Sequence, residues 1–200
     1  MSEPPVLRLN PALDPADIAQ ALAREGWVRV QAALEAPVAD RLAGLLEETI
    51  DWADCATAAP SETADYLAYP MLTALAEGRD PGHPIHTVTA FLGAGLLEFA
   101  RAATGQALTL RTAEARLYGP GHFQGLTQDT GLGFSLDLTR WWRPDWGGQL
   151  LFHDAAGDIA RGLAPDLGGL ILFDAARPHS IAPVAPASPR PRLAIEGRLG

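Results

Sequence analysis

LILFDAARPHSIAPVAPASPRPRLAIEGRL, residues 170–199, closes the chain with short apolar runs separated by Pro and Gly. Leu170–Phe173, His179–Val184 and Leu193–Leu199 each have strand length and composition, and turn formers bound each one. An imidazole, His179, opens the second run, and a guanidinium, Arg192, stands immediately before the third. An arginine flanked by Leu193, Ala194 and Ile195 needs an anion if it is buried. That anion is either a ligand carboxylate or an acidic side chain.

Working back toward the N-terminus, the same period of two predicts strands at Leu108–Leu110, Ala113–Tyr118, Gly133–Thr139 and Gln149–Phe152. Before residue 107 the period is helical. Asp14 caps a first helix, Pro15 suits its first turn, and Gly26 ends it. Trp27–Val30 alternates as a short strand. A second helix is predicted over Pro37–Trp52, with Val38, Leu42, Leu45, Leu46 and Ile50 on one face and Asp40, Glu47, Glu48 and Asp51 on a solvated one. Residues 53–90 are less regular: a helix over Pro70–Glu77 and a turn through Asp80-Pro81-Gly82 are predicted. A third helix over Leu92–Ala103 ends at Gly105. Helices followed by a run of short strands define an α+β fold class, with helices packed on one face of a β-sandwich or barrel. One domain over 1–200 is expected, helical over about 1–106 and β over about 107–200.

Composition narrows the function. Net charge is −9 and all 15 basic residues are Arg, which argues against nucleic-acid or anionic-membrane binding. The arginines Arg140, Arg143, Arg177, Arg190, Arg192 and Arg198 gather in the C-terminal half, either as solvated loop residues or as a site that attracts a small anion. Cys55 is the single cysteine, so neither an internal disulfide nor a cysteine metal cage is available. No apolar run has the length of a membrane span. The opening MSEPPVLRLNPALDP lacks the basic start and apolar stretch of a signal peptide, so a cytoplasmic location is expected.

The chemistry rests on three positions: Asp129 in GLTQDTG, His179 fifty residues on (179 − 129), and Arg192 thirteen further (192 − 179). Alone, Asp129 before Thr130-Gly131 is a turn former and His179 a structural histidine. Together, a carboxylate, an imidazole and an arginine in this order match an iron site followed by an anion clamp.

The flanking phrases make the match specific. LYGPGHF (117–123), LDLTRWWRPDWGGQLLFHD (136–154), LILFDAARPHSIAPVA (170–185) and RPRLAIEGRL (190–199) resemble the prolyl-4-hydroxylase-like branch of the Fe(II)/2-oxoglutarate dioxygenases. The resemblance covers about Leu92 to Leu199 well and the segment from Ala19 more loosely. It implies a distorted double-stranded β-helix (a jelly roll, cupin-like) with N-terminal supporting helices, and Fe(II) and 2-oxoglutarate as cofactors. By position it implies Asp129 and His179 as metal ligands, Arg192 as the 2-oxoglutarate clamp, and Tyr118 as a hydrogen-bond partner of the cosubstrate. The substrate it implies is a prolyl residue of a protein or a small molecule, with loops around Ser61–Tyr69 and His83–His86 as its cover.

One position departs from the family pattern. Its His-x-Asp pair reads Thr127-Gln128-Asp129 here, so a hydroxyl stands where the first imidazole belongs. An alignment that deletes the histidine between Gln128 and Asp129 leaves the same gap. His122, which only a bend at Gly125 would turn to the site, and His153, more simply a surface residue or the partner of a ligand, are the candidate stand-ins. His83 and His86, three apart around Pro84, could share a metal in principle but read as exposed loop histidines. Trp141, Trp142 and Trp146 read as core and loop packing. The expected function is a 2-oxoglutarate- and Fe(II)-dependent dioxygenase; the alternative is a catalytically inactive relative that serves as a binding or regulatory module.

Overall fold

The computed structural model describes residues 6–59, 62–79 and 82–200. Asp80, Pro81 and Ser61, part of the predicted turn and cover, lie outside these. Helix α1 (Pro15–Glu25) begins as its sequence requires: the Asp14 side chain accepts from the Ala16 amide at 2.8 Å, and Gly26 closes the helix at φ 70°. Strand β1 (Trp27–Val30) follows, then α2 (Ala36–Thr49), which buries Ala39, Leu42, Ala43 and Leu46. The opposite face of α2 is not merely solvated: Asp40 and Glu47 both bind the Arg140 guanidinium, each at 2.5 Å.

The stretch that read poorly in sequence is a hairpin, β2 (Ala53–Ala59) and β3 (Glu62–Pro70), followed by α3 (Met71–Ala76). The next helix starts earlier than predicted. It runs as α4 (Ile85–Phe91), a π-helical turn at Leu92–Leu96, and α5 (Leu97–Thr104), and Gly105 caps it at φ 67°. His86 therefore sits in a helix. Its Nε2 contacts the Arg79 carbonyl at 3.0 Å, while His83 Nδ1 accepts from the Ile85 amide, so both are tied to backbone.

The remaining strands are β4 (Leu110–Tyr118), β5 (Phe123–Thr127), β6 (Leu132–Asp137), β7 (Leu150–His153), β8 (Ile159–Leu163), β9 (Leu170–Asp174), β10 (His179–Ile181) and β11 (Arg192–Leu199). Their pairing is antiparallel, in the order β1-β9-β6-β11-β4-β3-β5-β10-β7-β8, with β2 added to β3. This sheet curls on itself into the double-stranded β-helix expected from the sequence, and strands from the first hundred residues take part in it. Two apolar clusters result. The larger lies between α2, α4, α5 and the outer face of β6, β9, β4 and β11, with Leu42, Leu46, Leu92, Phe134, Leu136, Leu193 and Ile195 buried in it. The smaller lies inside the curl, around Tyr118, Leu150, Phe152, Phe173 and Ile181.

Candidate functional site

Strand β11 places the site, because residues two apart in a strand point to the same side. Leu193, Ile195 and Leu199 join the helix-facing cluster. Arg192, Ala194, Glu196 and Arg198 therefore point into the curl. Register sets their neighbours: Arg192 lies opposite Tyr118, Ala194 between Arg116 and Asp137, Glu196 between Glu114 and Ser135, and Arg198 between Thr112 and Gly133. A cavity of about 200 Å³ opens beside them, lined by Thr127, Asp129, His179, Arg116, Glu196 and Arg198 among others.

The structure thus brings Asp129, His179 and Thr127 to one cavity. His179 and Thr127 are directly opposed, since β10 pairs with β5 at these residues. His179 Nδ1 contacts the Arg177 carbonyl at 2.8 Å, so that nitrogen carries the proton and Nε2 the lone pair. Burial lowers the His179 pKa and keeps the ring neutral near pH 7. The Thr127 hydroxyl is already engaged: it accepts from Gln124 Nε2 at 3.0 Å and donates to the Gly125 carbonyl. The Asp129 carboxylate accepts from the Thr130 amide and forms an ion pair with Arg198.

Arg192 and Tyr118 are not in the cavity wall. Both are fully buried behind Glu196. Arg192 Nη2 donates to Glu196 Oε1 at 2.7 Å, and the Ser135 hydroxyl donates to the same oxygen at 3.1 Å. On Oε2, Arg116 Nη1 donates at 3.2 Å and the Tyr118 hydroxyl at 3.1 Å. Burial alone would raise the Glu196 pKa, but Arg192 and Arg116 outweigh it and hold the group at about 2. Asp137, 3.6 Å from Arg192 Nε, is the weaker partner: burial raises its pKa despite the guanidinium. Burial likewise raises the Tyr118 pKa, so the phenol stays protonated.

Glu196 and Arg116 have no reading as site residues in the sequence, and Arg198 only as one of a cluster of arginines. Their signal was parity, since Glu196 and Arg198 fall on the same side of β11 as Arg192. The stand-in histidines are structural: His122 Nδ1 accepts from the Gly119 amide, and His153 Nε2 bonds the Ser180 hydroxyl at 2.8 Å. Trp146 is buried and packs edge-on against Trp142, whereas Trp141 is exposed, with Arg190 over its ring. Among the described residues, no group of three or more His, Cys, Asp or Glu is arranged to hold a metal ion.

Residues 117–200 match the family model of the 2OG-Fe(II) oxygenase superfamily. In fold, the chain is similar to a Pseudomonas putida prolyl-4-hydroxylase at TM-score 0.67 and 21% identity, over 93% of this chain and 98% of that one. It is similar to a 2OG-Fe(II) oxygenase family oxidoreductase from Burkholderia pseudomallei at TM-score 0.73 and 17% identity, over 97% and 93%. HygX from Streptomyces hygroscopicus, solved with nickel and 2-oxoglutarate bound, aligns at TM-score 0.68 and 13% identity, over 94% and 87%. No curated protein matches. The resemblance read from the sequence is therefore shown, and Fe(II) and 2-oxoglutarate are the cofactors for which that superfamily is named. Among the described residues, no helix is long and apolar enough to cross a membrane.

Proposed function

We propose that this chain is a non-catalytic relative of the Fe(II)/2-oxoglutarate oxygenases, a binding or regulatory module built on their scaffold. The observation that carries this reading is the Asp129–Arg198 ion pair beside Thr127. Iron sites of this class use two imidazoles and a carboxylate on one face. Here one imidazole is a hydroxyl spent on Gln124 and Gly125. The carboxylate is neutralised by a guanidinium on the neighbouring strand. A divalent cation would have to displace Arg198 from that carboxylate and would still lack the first imidazole. Loss of even a hydrogen-bond partner of a metal ligand costs roughly 10–100-fold in affinity, and a ligand should cost no less. The residues at these positions do not fit iron.

A second reading, an active dioxygenase acting on a prolyl residue or a small molecule, has one observation in its favour. His179 is neutral and offers Nε2 to the cavity that Asp129 also lines. The range of relatives keeps both substrate classes in view, since a Trichoplax adhaerens prolyl hydroxylase was solved with a peptide fragment and SnoN is an α-ketoglutarate-dependent epimerase.

Anaerobic titration with Fe(II) and 2-oxoglutarate, followed by oxygen, separates the readings. A non-catalytic module gives no visible metal-to-ligand charge-transfer band and no succinate above a protein-free control. A band, with succinate formation lost in His179→Ala, would establish the dioxygenase instead. The double variant Thr127→His with Arg198→Ala should gain Ni(II) affinity by roughly 10–100-fold, read by calorimetry.

A further inference from the structure

Arg192 is a fully buried guanidinium on the inner face of a β-barrel, and its anion is supplied from within. Glu196 lies four residues along the same strand, on the same side, and its two oxygens receive four donors: Arg192, Ser135, Arg116 and Tyr118. A carboxylate has about four acceptor sites, so the group is saturated. It is also only 7% exposed.

We propose that Glu196 is an internal replacement for a ligand carboxylate, occupying an anion site on Arg192 that small dicarboxylates enter only when Glu196 is removed. The inference rests on the reading of a non-catalytic module, but its test needs no metal, so the two can fail separately.

Three features support the assignment. The donors surrounding Glu196 are of the kinds that hold a free carboxylate: two guanidiniums, a phenol and a hydroxyl. Arg192 retains unused capacity, because its Nε and Nη1 are buried with no hydrogen-bond partner among the described residues. A fork that can make two parallel bonds thus makes one to Glu196, with Ser135 sharing the same nitrogen. Finally, the Glu196 carboxylate is held on a strand bonded on both sides, by β4 and β6. It has already lost the freedom that a diffusing ligand must surrender, so a dissolved carboxylate competes against a positioned one. The low pKa of about 2 means that no physiological pH discharges it.

The test measures thermal shift and calorimetric binding of 2-oxoglutarate and succinate in the presence of a metal chelator. It compares the wild-type chain, Glu196→Ala and Glu196→Ser. The wild-type chain should show no saturable binding up to the highest concentration used. Glu196→Ala vacates the site and should bind both dicarboxylates saturably, at least roughly tenfold more tightly than that limit, as release of one charge-assisted hydrogen bond implies. Glu196→Ser also vacates the site and keeps a small polar group there, and its melting temperature should rise with either anion. It serves as the reporter if the alanine variant does not fold. Saturable binding of 2-oxoglutarate to the wild-type chain overturns the proposal. So does a folded Glu196→Ser whose melting temperature ignores both anions.

Discussion

The two faces of β11 carry opposite chemistries over the same eight residues. Outward, Leu193, Ile195 and Leu199 meet helices α2, α4 and α5 in an apolar core. Inward, Arg192 pairs with Glu196 and Asp137, Glu196 also pairs with Arg116 and accepts from the Tyr118 hydroxyl, and Arg198 pairs with Asp129. The same division runs along β6, where Leu132, Phe134 and Leu136 face the helices while Ser135 and Asp137 reach Arg192 or Glu196. The outer face is held by apolar burial, which is insensitive to pH and weakly sensitive to salt. The inner face is held by mutual compensation of buried charge, where each member is expensive only if its partner is lost. Stability of the fold and identity of the site are thus assigned to opposite sides of shared strands.

That division can be broken most severely at Arg192. Arg192→Met leaves Glu196 and Asp137 buried with less positive charge and should destabilise the protein by about 3–5 kcal/mol in urea unfolding. Pairing it with Glu196→Leu should recover most of the loss, because the charge and its countercharge depart together. In the apolar core against that outer face, Leu42→Ala should cost about 3 kcal/mol, through lost burial and the cavity left behind. No second substitution of opposite charge should rescue it. A single value for both faces, or failure of the paired substitution to recover stability, would dissolve the distinction.

Smaller effects sharpen it. The folded pKa of His179 lies below the ordinary imidazole value, so the unfolded chain binds the proton more readily. Its contribution is complete above about pH 6.5 and declines as pH falls toward the lower folded value, with a slope of at most about 1.4 kcal/mol per pH unit. His179→Asn should flatten that part of a stability–pH profile. The Asp129–Arg198 pair is the weakest of the set, with side chains 39% and 33% exposed. Arg198→Ala should therefore change stability by less than about 1 kcal/mol, while freeing the Asp129 carboxylate.

Much of this was legible in the sequence. Asp14 and Gly26 fixed the limits of α1, Gly105 fixed the end of α5, and the apolar run Leu193–Leu199 marked β11 as a strand. Asp129 and His179 do meet at one cavity. The β2–β3 hairpin was hidden because Ala53–Ala59 is built of residues with weak strand preference, and β3 becomes a strand by pairing with β4 and β5. Strand β8 was hidden because Ile159–Gly162 is exposed and carries no alternation. The anion facing Arg192 was anticipated as ligand or side chain. Choosing Glu196 required knowing that Tyr118, Arg116 and Ser135 flank it across two other strands.

Strand β3 has a mechanical consequence for the cavity. It pairs with β4 through Leu67–Pro70 and with β5 through Ala64 and Asp65, so a single segment is stitched into both halves of the curl. Prising the halves apart on that flank would tear backbone bonds. The far flank ends at β8, an unpaired margin whose Ile159 is 61% exposed. Opening the mouth on the β3 flank therefore costs backbone pairing on two strands, a cost that the β8 edge does not carry.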